Sequence, residues 1–515
     1  MQTSFPRRRS LLLWALLALA MVAVSYVVVL FIAAGCVYVP YLVFMSTDAG
    51  LQSVALALCG VAIAATMLWS LVPRPDTFEA PGPTLYASAH PKLFTELEKI
   101  AAALNEPMPD EVYLIPQANA FVADRGGTMG VGARRVMGIG LPLIAVMNVD
   151  EFRAVLAHEF AHYYGGDTRL GPWVYKTRMA MVRAIQNMAS IGSWMRIAIA
   201  ALLYRIVLSI LQAYWKVFLR ATQLVSRRQE YRADELACYI AGSNSLTSGL
   251  KKVHTANAAF PAYWNSEVLP FLNLGYRPPI TEGFSLFVQA PEVSVQLEQL
   301  ADKEISQPKT SAYDSHPPLR DRIAAVKLFE VGNQGAGSES AMSLFADLVG
   351  EEWRVLSWKN SSSQVSAMKP LTWQDLAVSL PQIWRDLIQK NAQFLGDLTT
   401  DLLPDAVPKL AEIGSRIPDP KGMLLTPQQR TTRAAELFGA ALALAVSDAG
   451  WPLHMQPGER YFEVGMEQVS VRELMGRLLS NKITREEWGE RCRTLKISGV
   501  RLVVPKNLAA GSESA

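Results

Sequence analysis

The segment Val149-Asp150-Glu151-Phe152-Arg153-Ala154-Val155-Leu156-Ala157-His158-Glu159-Phe160-Ala161-His162 holds two histidines four residues apart, with a glutamate beside the first. Apolar residues at 152, 155, 156 and 160 recur with helical period, so the segment reads as an amphipathic helix. Positions four apart share a helix face, so both imidazoles can reach one ion. Zinc accepts imidazole nitrogen readily, and a catalytic zinc keeps three protein ligands and a water. Glu159 is placed to take a proton from that water, while the ion lowers the water's pKa and polarises a scissile carbonyl. The plain alternative is a helix with two ordinary histidines, one in the core and one exposed. The chain has only six histidines in all, and two of them flank a glutamate at the required spacing.

A third ligand is still needed. Ser226-Arg227-Arg228-Gln229-Glu230-Tyr231-Arg232-Ala233-Asp234-Glu235-Leu236-Ala237 is helix-compatible, with Glu230 and Asp234 one turn apart. Glu230 would bind the metal, and Asp234 could accept the outer N–H of a ligating histidine and set its tautomer. The competing reading is a solvated charged face with Arg227 and Arg228 pairing locally. Spacing does not separate the two.

These segments resemble those of HtpX-like proteases and the type-1 CAAX prenyl proteases, integral-membrane zinc endopeptidases of the gluzincin type. Asn119-Ala120-Phe121, followed by a glycine-rich stretch and Gly140-Leu141, is similar to the family's edge strand and turn. His316-Pro317-Pro318-Leu319-Arg320-Asp321-Arg322-Ile323 is similar to its downstream His-Pro block. The likeness covers roughly residues 80 to 330, with four segments in the expected order. It implies one zinc ion per chain, Glu230 as third ligand and Asp234 as the group that orients a ligating histidine. It also implies that His316 approaches the site and hydrogen-bonds the oxyanion. The bland reading of His316 is an N-cap or turn residue before a helix opened by Pro317-Pro318. Residues 119–123 are expected as an edge strand that binds substrate backbone by strand addition, or as an ordinary sheet edge.

The elements that must carry this site begin with the membrane. Half of the 515 residues are hydrophobic, and much of that excess lies in the first 72 positions. Leu11 to Thr47 and Ala49 to Val72 carry no charged side chain, and each run is long enough to cross a bilayer. Pro40 is expected to bend or end the first helix, with Gly35 a weaker candidate. Arg7, Arg8 and Arg9 precede the first span and only Asp48 lies between the two, so both ends of the hairpin are expected in the cytoplasm. A cleaved secretory signal is the competitor, but the apolar run extends well beyond such a signal's apolar region. A buried soluble-core hairpin is the remaining alternative.

An apolar stretch from about Ile191 to Leu219 separates the two halves of the site. Any full crossings here must be even in number, since the ligands on either side must meet. Arg178, Arg183, Arg196, Arg205 and Lys216 interrupt the interval. Arg205, Ser209, Gln212, Lys216 and Arg220 fall on one stripe at about 100° per residue, which predicts an amphipathic helix lying on the membrane or packed over the catalytic domain. A plain core helix is the equal alternative. This departs from a four-span pattern, and an open membrane-facing cleft fits better than an enclosed chamber.

The expected fold is α+β and mainly helical. A transmembrane helical hairpin (1–75) precedes a gluzincin-type zinc peptidase domain with a small sheet (76–330) and an α-rich C-terminal extension of unknown function (331–515). Lys92–Leu104, Trp373–Leu403, Thr426–Val446, Val469–Ser480 and Thr484–Leu495 read as helices, and Gly332–Ser340 has linker chemistry. The net charge of +3 and the lack of phosphate loops or nucleic-acid motifs argue against nucleic-acid partners. Cysteines at 36, 59, 238 and 492 form no close pair, so a disulfide framework is not expected. The expected enzyme is an endopeptidase of the cell inner membrane, multi-pass, with its catalytic domain cytoplasmic and its partners the lipid bilayer and membrane or misfolded polypeptides. Prenylated-peptide processing fits less well. The alternative is a proteolytically silent membrane scaffold, disfavoured because a structural metal site needs no base such as Glu159.

Overall fold

A computed structural model describes residues 10–46, 50–72, 76–127, 132–163, 177, 181–183, 185–187, 198–307, 316–329, 337–359, 365–419 and 425–503. Arg7–Arg9, Asp48, Arg178, Arg196, residues 191–197 and residues 332–336 of the expected linker lie outside these. The fold is mainly helical with small sheets, and the chain forms two compact units. One comprises Met1–Pro261 with Val295–Val365, the other Ala262–Ser294 with Ser366–Ala515.

The first unit opens with two helices, α1 (Ser10–Ser46) and α2 (Leu51–Leu71). Within them Ala20–Ser46 and Ser53–Ser70 are long and apolar enough to cross a membrane. Pro40 does not end α1, which continues to Ser46. Its ring sits where α2 offers Gly60: a Cβ there would lie 2.9 Å from Pro40 Cγ and 2.0 Å from the Cys36 carbonyl oxygen. The missing side chain lets the two backbones approach, and Val29, Ile32, Ala33, Cys36, Ile63, Ala64 and Met67 fill the seam.

A four-stranded sheet follows, built from β1 (Thr84–Leu85), β2 (Glu111–Ile115), β3 (Ala120–Arg125) and β4 (Arg134–Gly140) in the order β1-β2-β4-β3. β2 and β4 are parallel, whereas β3 runs antiparallel to β4 and forms an edge. Phe121 faces Gly138 in the register, and a Cβ on Gly138 would lie 2.2 Å from the Phe121 ring. Helix α3 (Pro91–Leu104) precedes β2, and α4 (Leu141–Val146) follows β4 directly. At that junction a Cβ on Gly140 would lie 2.1 Å from the Gln117 carbonyl oxygen, so the chain before β3 folds tightly over it.

Helix α5 (Val149–Ala161) starts on a capping box: Asn148 accepts from the Glu151 N–H, and the Glu151 carboxylate accepts from the Asn148 N–H. Ser248 and Lys252, on the helix Ser243–Tyr263, also donate to Glu151. Phe152, Val155, Leu156 and Phe160 are buried along the face that the periodicity marked. A strap at 337–341 fastens the helix start, with Val149 N–H donating to the Glu339 carbonyl and Gly337 N–H to Asp150.

Helix α6 (Ala198–Ala241) is 44 residues long. Its first half runs along the apolar hairpin. Val207 and Leu211 join the cluster of Val29, Ile32, Cys36 and Ile63, while Phe218 packs with Val22. Arg205, Ser209, Gln212, Lys216 and Arg220 are exposed on the side away from it. The physical reason is the wide apolar face, which matches the hairpin and leaves the stripe outward.

The second unit contains helices Leu376–Lys390 and Pro427–Asp448 and an antiparallel sheet of Leu453–Gln456, Glu459–Val464 and Glu467–Val469. Helices Val471–Leu479 and Arg485–Thr494 follow. Residues 262–294 belong to this unit: Trp373 is buried against Tyr263 and Phe271 and donates to the Pro279 carbonyl.

Candidate metal centre

α5 and α6 pack together and bring the two halves of the motif into contact. His158 Nε2 lies 3.5 Å from Glu230 Oε2, and His162 Nε2 lies 3.6 Å from Glu230 Oε1. One donor atom from each of His158, His162 and Glu230 falls within 4.8 Å of the others. Ligands about 2 Å from a tetrahedral ion are roughly 3.4 Å apart. His158 and Glu230 are buried, whereas His162 is partly exposed. Glu159 follows His158 and is partly buried.

Around this trio the charges are arranged in layers. Asp234, fully buried one turn beyond Glu230, has Oδ1 2.9 Å from His158 Nδ1. Arg322, on the helix Leu319–Val326, donates to both Asp234 oxygens, from Nε at 2.9 Å and Nη2 at 2.6 Å. Its Nη1 is 3.5 Å from Glu230 Oε2. His316 has an exposed side chain, yet its Nδ1 lies 2.9 Å from Glu230 Oε1. The helix that follows is capped by Pro318, so His316 is not its N-cap.

The residues present fit a divalent cation. Two buried carboxylates, Glu230 and Asp234, face one permanent cation, Arg322, which leaves a negative excess in a buried place. Glu230 Oε2 is buried and accepts no hydrogen bond. The donor set of two imidazoles and a carboxylate suits zinc chemically.

The electrostatics agree. Burial and the Arg322 charge push the His158 imidazole down, but the Asp234 and Glu230 carboxylates against its two ring nitrogens outweigh them and hold it at about 9. Burial, aided by the His158 charge, pushes His162 down to about 4. Burial alone would raise Glu230, yet the His158 imidazole beside it and the hydrogen bond with His316 hold it well below the carboxylate range. Burial pushes Glu159 up to about 7; the His158 charge opposes the rise and Glu230 adds to it. The bond to Glu230 lifts His316. A bound dication favours neutral imidazoles and an ionised carboxylate, so it would take the place of the proton on His158.

Ala120 and Phe121 lie on β3, with Asn119 just before it. β3 packs on α5, and Arg135 of β4 lies 4.0 Å over the ring of Tyr163, directly after His162. The sheet edge is thereby held beside the motif. Reading by residue type missed Arg322 as a member of the site. The available signal was charge balance, since two buried acids one turn apart require a cation that the local sequence need not supply.

Residues 87–329 match the model of peptidase family M48. A protease HtpX homolog of Desulfatibacillum aliphaticivorans is 26% identical over 249 residues, covering 45% of this chain and 67% of the relative. Protease HtpX of Xylella fastidiosa (strain M12) is 27% identical over 241 residues, covering 43% and 67%. The protease HtpX homolog of Syntrophobacter fumaroxidans is 29% identical over 255 residues, covering 46% and 76%. No solved structure matches the chain.

Proposed function

Since the chain is an HtpX-like member of peptidase family M48, we propose that it is a membrane-anchored zinc endopeptidase of gluzincin type. It acts on membrane or misfolded polypeptides at the cytoplasmic face. The observation that carries the reading is the meeting of His158, His162 and Glu230 with Glu159 in the same helical turn. His158, His162 and Glu230 hold one zinc ion, which when bound supplies Lewis acidity toward water and the peptide carbonyl.

The chain's own residues do the rest. Glu159, with a carboxyl near neutrality, takes a proton from water and returns it to the departing amine. Asp234, gripped by Arg322, accepts from His158 Nδ1 and leaves Nε2 for the metal. His316 hydrogen-bonds Glu230 at rest and offers an imidazole N–H to the oxyanion during turnover. The free edge of β3, at Ala120 and Phe121 with Asn119 ahead, pairs with an extended substrate backbone. Residues 76–330 supply this machinery, behind the hairpin at 1–75.

The test is cleavage of an unfolded protein by the detergent-purified chain beside Glu159→Gln, with zinc content measured in both. Cleavage by the wild type alone, at equal zinc, supports the reading. Equal activity in the variant would sink the assignment of the base. Silence from both at full zinc favours a scaffold.

A further inference from the structure

The outward stripe of α6 stays unused by this mechanism. Val207 and Leu211 sit in the same cluster as Ala33 and Ile63, near the middles of the two apolar spans. Ser209 therefore lies at mid-depth of the hairpin. At about 1.5 Å per residue, Arg205 is about 6 Å to one side of it and Lys216 about 10 Å to the other. The flank bearing Leu202, Ile206, Ile210 and Val217 is exposed and apolar. The helix thus has three faces: one on the hairpin, one suited to lipid, and one polar.

Nothing nearby in sequence can neutralise that polar face. The hairpin runs 11–47 and 49–72 carry no charge, and residues 168–229 contain ten Lys and Arg but no Asp or Glu. Cations at such depth are costly unless paired. A second copy would set cation against cation. Lipid phosphates can meet a snorkelling lysine near the surface but not Ser209 and Gln212 at the centre. Resting on the membrane-anchored reading, we infer that Arg205, Ser209, Gln212 and Lys216 form a docking stripe for a membrane-embedded helix of a substrate polypeptide that carries an acidic residue. The same helix leads on to Glu230, about 20 Å beyond Lys216, so the stripe aims a captured segment toward the metal centre.

The experiment uses the full chain with Glu159→Gln in phosphatidylcholine vesicles, so that binding is read without cleavage. The probes are Leu-rich synthetic helices of about 20 residues, bearing a central Asp, a central Lys or neither, and association is followed by energy transfer. The Asp helix is expected to bind about tenfold tighter than the others, as polar contacts between membrane helices allow. Arg205→Lys keeps that preference, Arg205→Leu with Lys216→Leu loses it, and Arg205→Glu with Lys216→Glu turns it toward the Lys helix. The gain for the Lys helix cannot arise from misfolding. No preference for Asp in a chain that resists carbonate extraction overturns this inference alone. Release by carbonate overturns it together with the membrane anchor. Loss of the Asp preference on adding phosphatidylglycerol identifies lipid as the occupant and likewise overturns it.

Discussion

Arg322 grips Asp234 through two hydrogen bonds, 2.9 Å from Nε and 2.6 Å from Nη2, and the oxygen nearer Nη2 is also 2.9 Å from His158 Nδ1. The guanidinium is a fork that fixes where Asp234 points, and its Nη2 also lies 3.3 Å from both His158 ring nitrogens. Removing it as Arg322→Met leaves a buried carboxylate short of its cation, at a cost of about 3–5 kcal/mol. Zinc affinity should fall about 10–100-fold. Arg322→Lys keeps the charge but not the fork and should recover only part of that affinity. Zinc titration against a competing chelator checks both variants, and wild-type affinity in Arg322→Met would remove the positioning role.

Metal removal should lower thermal stability. A ligand that binds only the folded state stabilises by about 4 kcal/mol at a thousandfold excess over its Kd. The melting temperature should therefore rise with free zinc, and the rise should vanish in Glu230→Ala. Melts across a zinc series decide this.

Glu96 ties α3 to α5 through Arg153, with Lys99 on its own helix. Burial would raise its carboxyl, but hydrogen bonds from Lys99 and Arg153 hold it below the ordinary 4.5. A depressed carboxylate contributes stability above its unfolded pKa and loses it as pH falls through the folded value. Glu96→Gln should thus cost about 1–2 kcal/mol at neutral pH and progressively less below about pH 4.5. Denaturant melts at pH 7 and pH 4 give the comparison, and an equal loss at both would refute the linkage.

The hairpin seam should be intolerant at one point. Gly60 faces the Cys36 carbonyl with no room for a Cβ, whereas a Cβ on Gly35 would meet nothing within 4 Å. Gly60→Leu should destabilise the detergent-solubilised chain by about 3 kcal/mol or more, and Gly35→Ala should be near neutral. Thermal unfolding in detergent measures both.

Phe121 lies over Gly138 on the strand beside the site, so Gly138→Ala must move its ring. If that edge holds substrate, KM for an unfolded protein should rise with little change in kcat or zinc content. A changed kcat at constant KM would point away from strand addition.

Much of the site was readable because it is local. The spacing of His158 and His162 meets the helical period, and Asn148 with Glu151 caps that helix through bonds three residues apart. The uncharged runs at 11–47 and 49–72 need only composition to declare themselves. The stripe on α6 was visible for the same reason, as a period along one helix. Its opposite face was not, because which surface covers an apolar face depends on shape: Val207 and Leu211 meet Ile32 and Ile63 only once the hairpin exists. Arg322 stayed hidden because it meets Asp234 across 88 residues, and no local period records a long-range ion pair. Residues 262–294 lie inside the segment 76–330 of the sequence, and only the fit of Trp373 against Tyr263 and Phe271 joins them to the second unit. Periodicity and composition follow from the backbone and the side chains nearest it, whereas partner choice follows from complementarity that appears only in three dimensions.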